Sequence, residues 1–233
     1  MNKEFTIFTV LLVLWILCSP VSVGWEPLTE LKAPDPCEDA YFGYSASIEN
    51  GTAAMGALGR NSNQGAVYVY DINESNSWDY VTILLPPNLD DTDQFGYSVC
   101  IDANRIVVGV SAESANEVYV FDYNGTDWDT DPKILSVVNP NAYFGQSVSI
   151  DGNTIIVGAK GNTSQNGAAY VFDYNGVEWN YKQELADPCG AINDDFGCFV
   201  AVDGNVIVVG AESDDAPSNR EGSICVFRYN GII

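Results

Sequence analysis

The sequence predicts an all-β protein: a β-propeller of four four-stranded antiparallel blades, the last one completed by the N-terminal strand. Three observations predict it. One string recurs four times at a period near fifty residues, turn signals divide each copy into four short strands, and the alternation leaves both sides of each sheet apolar.

The copies align on Phe-Gly as "FGYSASIENGTAAMGALG" from Phe42, "FGYSVCIDANRIVVGVSA" from Phe95, "FGQSVSIDGNTIIVGAKG" from Phe144 and "FGCFVAVDGNVIVVGAES" from Phe196, at spacings of 53, 49 and 52 residues. Each continues into a second half, "GAVYVYDINESNSWDYVTIL", "NEVYVFDYNGTDWDTDPKIL", "GAAYVFDYNGVEWNYKQEL" and "GSICVFRYNG". The first two strands, A and B, meet at "ENG", "DAN" and "DGN", where Gly and Asn supply the positive φ of a tight hairpin. "YNG" at Tyr123, Tyr174 and Tyr229 joins strands C and D in the same way. No helix is required after the N-terminal segment.

In strand A of the third copy Phe144, Val148 and Ile150 share one face, and Gly145, Ser147 and Ser149 the other. One face is bulky and one is small. Strand B, "TIIVGA", is apolar on both, as a strand covered from two sides must be. Such sheets stack bulky face onto small face, and a lone one could not bury both.

The ends suggest how the set closes. "WEPLTELKAPDPCEDAYFG" after Gly24 resembles the fourth strand beginning at Trp179, while "RYNGII" stops where another such strand is due. The N-terminal strand therefore suits the missing outer strand of the last blade, which would remove an exposed edge. The alternative is an open arc of a larger propeller, because bulky side chains crowd a four-membered ring.

Met1–Gly24 places Lys3 before the apolar run "FTIFTVLLVLWILC" and the small residues of "SPVSVG", the order of a secretory signal peptide. An uncleaved anchor is the alternative, although the run is short for a span. The remaining chain, 25–233, is then one domain, secreted or at the cell surface. With 9 Lys and Arg against 32 Asp and Glu the net charge is -23, which repels nucleic acid and anionic membranes. The chain has no histidine, so Ser/His/Asp and Cys/His catalysis and the commonest zinc ligand are excluded.

At the quoted residues the chain resembles the FG-GAP repeats of integrin alpha chains and of many secreted proteins, over Trp25–Ile233. The resemblance implies a propeller used for extracellular recognition or adhesion, not catalysis. It departs from integrin-type repeats where they carry a DxDxDG calcium loop: "ENG", "DAN", "DGN" and "DGN" leave one carboxylate per hairpin, too few oxygens for a calcium cage. No cofactor is expected and no metal ligand is assigned.

Propeller geometry puts the loops joining D to A and B to C at one end. Acid collects there, as Glu38, Asp39, Asp90, Asp91, Asp93, Asp194, Asp195, Glu212, Asp214 and Asp215. The expectation is a secreted non-enzymatic module whose acidic loop end meets an extracellular protein or glycan; a solvated acidic rim is the plainer account. Two other readings stand beside it. One is a calcium-dependent adhesion fragment. The other is a histidine-free Asp/Glu hydrolase of sialidase-like type, although "DYNGTDW" and "DYNGVEW" carry Tyr123 and Tyr174 where a sialidase Asp box has its aspartate.

Cys37 and Cys189 both follow "DP" ahead of strand A, and closure would make their blades neighbours, so a bridge between them is compatible with the ring. Cys198 and Cys225 are separated by strand B, two spacings of about 4.8 Å, beyond disulfide reach. Asn50, Asn73, Asn124 and Asn162 head N-x-S/T sequons in expected turns or loops.

Overall fold

The computed structural model describes residues 28–85, 94–111, 117–138, 140–161, 166–188, 194–213 and 222–231. The expected signal peptide lies outside them. Contacts divide the chain into Met1–Glu30 and Leu31–Ile233, and the description below concerns the second unit.

Each copy becomes one antiparallel sheet whose strands run in chain order. The first sheet holds β1 (Phe42–Glu49), β2 (Thr52–Ala57), β3 (Val67–Ile72) and β4 (Trp78–Leu84). The second holds β5 (Ser98–Asp102), β6 (Arg105–Gly109), β7 (Glu117–Asp122) and β8 (Lys133–Ser136). The third holds β9 (Ser147–Asp151), β10 (Thr154–Ala159), β11 (Ala168–Tyr174) and β12 (Trp179–Leu185). The fourth has three strands, β13 (Phe196–Asp203), β14 (Val206–Ala211) and β15 (Ser223–Arg228). The one helical turn among the described residues, Arg60–Asn63, has left-handed dihedrals at Asn61 and Ser62 and is a tight loop in the chain path.

The sheets pack in chain order through their first strands, β1 on β5, β5 on β9 and β9 on β13. Each seam joins the small face of one sheet to the bulky face of the next. Val107, Val118, Val120 and Leu135 of the second sheet meet Phe144, Val148, Ile150 and Tyr170 of the third in one buried cluster. The same positions recur one sheet on, with Ile156, Ala169, Val171 and Leu185 against Phe196 and Val209. A buried Phe or Leu of this kind stabilises by about 1.5–3 kcal/mol, so the seams hold the stack together.

The Phe-Gly pair is a turn that plugs each seam. The residue before it has positive φ at Tyr41, Gln94, Tyr143 and Asp195, as does the glycine after it. The turn closes with Gln146 N–H donating to the Tyr143 carbonyl at 3.0 Å, and likewise from Cys198 to Asp195. Only glycine takes the φ of +86° to +95° found at Gly43, Gly96, Gly145 and Gly197 without strain. Phe95, Phe144 and Phe196 are thereby driven fully into the seams.

Among the described residues, no strand of the N-terminal segment pairs with the fourth sheet. The fourth sheet has three strands among the described residues, and Leu31 and Ala33 pack on the first sheet, against the buried cluster of Met55, Ala57, Tyr68 and Tyr70. Apolar matching sets the place of Leu31. Leu31 precedes Phe42 by the interval that separates Leu84 from Phe95 and Leu185 from Phe196, and it takes the seat those leucines take on the bulky face that follows them. Cys198 and Cys225 stand on β13 and β15 with β14 between them, as expected, and no bridge links the two.

Candidate functional site

Strand A is the inner edge of every sheet, so half of its amides lack a ladder partner and must find one elsewhere. The preceding sheet provides it. Ser147 Oγ accepts from Val200 N–H at 3.0 Å and Ser149 Oγ from Val202 N–H at 3.1 Å. One seam earlier, Ser47 Oγ accepts from Ile101 N–H at 3.0 Å. Ser45 and Ser98 work in the other sense, donating to the carbonyls of Gly96 and Gly145, each at 2.7 Å. The small face is therefore small and hydroxylic for two reasons, close approach and amide satisfaction.

The hairpin carboxylates complete the ladder. Asp102 accepts from Gly152 N–H at 2.5 Å, Asp151 from Gly204 N–H at 2.5 Å, and Glu49 from Ala103 N–H. The single acid left in each of the first three hairpins is thus a seam bond to the following hairpin. Among the described residues no group of three or more His, Cys, Asp or Glu side chains is placed to hold a metal ion. At the same end Arg105 pairs with Asp122, donates to the Gly152 carbonyl at 3.0 Å and lies over the rings of Tyr174 and Trp179.

The opposite end carries the predicted acidic residues. There the loop before each Phe-Gly is bonded to the loop after strand B, through Gly59 N–H to Ala40 O, Gly161 N–H to Ala142 O and Ser213 N–H to Asp194 O. Glu38, Asp39 and Glu212 are exposed. Asp195 is half-buried and accepts from Ser213 Oγ at 2.7 Å. Asp194 departs from the expected rim: only 2% exposed, it occupies the buried position that Ala40 and Ala142 hold in other copies. Asp90, Asp91, Asp93, Asp214 and Asp215 lie outside the described residues, as do Cys189 and Asn162. Asn50 and Asn124 are exposed and Asn73 is half-buried; Asn73 and Asn124 use their carboxamide oxygens to close their own turns, on Ser75 and Ser77 and on Thr126 and Asp127.

One cluster at this end has no counterpart in the sequence reading. Asp35 accepts from Tyr68 OH at 2.6 Å and from Arg60 Nη2 at 2.7 Å, while Tyr70 OH donates to the Lys32 carbonyl at 2.7 Å. The Tyr68 hydroxyl, with the Arg60 guanidinium, holds the Asp35 carboxyl below the usual carboxylate range. Burial, then the Asp35 bond, pushes the Tyr68 phenol up. The cluster anchors the segment before β1 to the first sheet. Its only sequence signal is a "DPC" aspartate upstream of a tyrosine-rich strand C, too short a pattern to single out.

Stacked antiparallel sheets, each built from one sequence copy and plugged into the last by a Phe-Gly turn, define an all-β repeat protein with a propeller-like fold. The chain belongs to the FG-GAP repeat family, whose model matches residues 25–70, 78–121, 134–172 and 179–227. Among solved structures the chain is similar to one titled Kuenenia stuttgartiensis Hydrazine Synthase, with 13% identity and a TM-score of 0.49 over 80% of this chain and 51% of that one. The chain thus spans about half the length of that structure's chain. A comparison with curated proteins gives no match.

Proposed function

We propose that the chain is a non-enzymatic recognition module of the extracellular space, exported by its N-terminal segment and built as an open run of four propeller blades. Its acidic loop end meets a basic protein, or a glycan bearing cationic groups. The observation that carries this reading is the exposure of Glu38, Asp39 and Glu212 at one end of the strands in a chain of net charge -23. Of the cations at that end, Arg60 is held by Asp35 and Lys160 lies over the Tyr143 ring. A basic ligand would therefore meet carboxylates it could pair with, and long-range attraction would speed the encounter.

The test is retention of the purified chain on immobilised poly-lysine and on a neutral control resin, at low and at physiological salt, with and without calcium. Retention that falls steeply with salt and is reduced by a combined Glu38→Gln, Asp39→Asn, Glu212→Gln variant supports the reading. Retention that ignores salt or the triple variant sinks it.

A further inference from the structure

The three seams inside the chain define one interface repeated three times, and its two unmated halves remain at the ends of the stack. On the fourth sheet, Ile224 and Val226 occupy the positions of Val67 and Val69, of Val118 and Val120, and of Ala169 and Val171. Those six are buried, five of them completely, whereas Ile224 is 69% and Val226 63% exposed. Phe199, beside them on β13, is 68% exposed. On the first sheet, Ile48 is 64% exposed where its counterparts Ile101 and Ile150 are each 6% exposed.

The socket for a Phe-Gly turn is also preserved and empty. A Cβ added at Gly56, Gly109 or Gly158 would stand 1.9–2.1 Å from the carbonyl oxygen of the next sheet's Phe-Gly glycine, so those positions must be glycine. Gly210 is the fourth of the set, yet its nearest neighbour would be Cys198 Sγ at 3.5 Å, an ordinary contact. Nothing within the fourth sheet requires glycine there. The matching plug is the Phe42-Gly43 turn of the first sheet, where an added Cβ would meet no heavy atom within 4 Å.

Side-chain volumes match across these two faces. The fourth sheet has Phe199 where the others have Ser45, Ser98 and Ser147; the first sheet has Ala46 and Ala53 where the others have valine and isoleucine. In a seam of the same register, the one oversized residue on the small face would meet the two undersized residues on the bulky face. Asp203 repeats the seam carboxylates Asp102 and Asp151, and exposed Asn50 stands at the position of Gly152 and Gly204, whose N–H groups donate to them.

We propose that the free face of the fourth sheet docks the first sheet of a second copy of this chain, with Phe42-Gly43 of that copy seated against Gly210. The contact is heterologous, head to tail, and two copies joined at both ends would make eight sheets, within the range of blade numbers that closed propellers adopt. Leu31 of the second copy, already seated on its own first sheet, would lie beside β15, where the other three sheets carry a fourth strand.

Gly210→Ala is the discriminating variant, because its added methyl fits the free sheet and collides with a docked turn. The purified chain is run by sedimentation over a concentration series, alone and as Gly210→Ala and Phe199→Asp, with circular dichroism to verify the fold. The expected result is twice the chain's mass for the unaltered protein and a single-chain mass for both folded variants. A single-chain mass for the unaltered protein throughout the series overturns the proposal, and so does an assembly that Gly210→Ala and Phe199→Asp leave intact.

Discussion

The carbonyl oxygen of Gly197 lies 2.1 Å from where a Cβ on Gly158 would stand. That separation is well inside van der Waals contact, and the obstacle is backbone of the following sheet, which cannot swing aside as a flexible side chain would. Gly158→Ala must therefore push two sheets apart. The expected cost is about 2–3 kcal/mol, in the range for an overpacked core. For a chain of this size that is a drop in melting temperature of roughly 5–10 °C, measured by thermal circular dichroism. Gly210→Ala, which has no such neighbour within its own sheet, is expected to leave the fold of a single chain intact.

The serine ladder gives a second expectation. Ser147→Ala and Ser149→Ala each remove the acceptor of a strand A amide without changing the apolar packing beside it. Each is expected to cost about 1 kcal/mol. Amide exchange at Val200 and Val202 should quicken selectively, and unchanged exchange at both would show that solvent, not serine, satisfies them.

Acid stability should depend on Asp35. Its carboxyl is held low by the Tyr68 hydroxyl and Arg60, so the folded state binds its proton less readily than the unfolded chain. The associated stability is present above the ordinary carboxylate pKa, about 3.9, and is lost as pH falls through the lower folded value. Asp35→Asn should flatten the acid limb of a stability–pH curve below about pH 4 relative to the unaltered protein.

The alkaline limb runs the other way. The bond with Tyr97, then burial, pushes the Tyr44 phenol up to about 12, and burial raises Tyr68, Tyr70 and Tyr170. For groups raised on folding, stability is complete below the unfolded pKa of about 10 and is lost as pH climbs through the folded values. Ultraviolet titration should show a late-ionising class of tyrosines. Tyr97→Phe should bring Tyr44 back toward about 10.

Calcium is expected to leave thermal stability unchanged. Asp102 and Asp151 already accept backbone N–H groups across the seams, so a cation would have to displace those bonds. Melting with excess calcium and with a chelator should coincide, whereas a rise on adding calcium would return the adhesion reading to contention.

Much of the fold was legible in the order of residues. Phe144, Val148 and Ile150 alternate with Ser147 and Ser149, and "DGN" bounds the strand, because strand pleat and hairpin turn are local properties with short periods. The same alternation announced that bulky faces would meet small ones. Within the acidic end, exposure at Glu38, Asp39 and Glu212 was legible from loop placement. Burial of Asp194 was not read from its charge; it takes the inward position of Ala40 and Ala142, where the loop after strand B bonds to its carbonyl.

By itself, then, the chain's sequence determined the repeat, the strand count of each complete sheet and the direction of stacking, all of which are written in residues near one another. Tertiary structure alone decided which sheet Leu31 would cover, that the hairpin acids would bind amides, and that Gly210 would face an empty seat. Those outcomes turn on residues some fifty positions apart meeting at a seam. A repeating pattern specifies what each face will accept, but only the assembled stack shows which faces have found a partner.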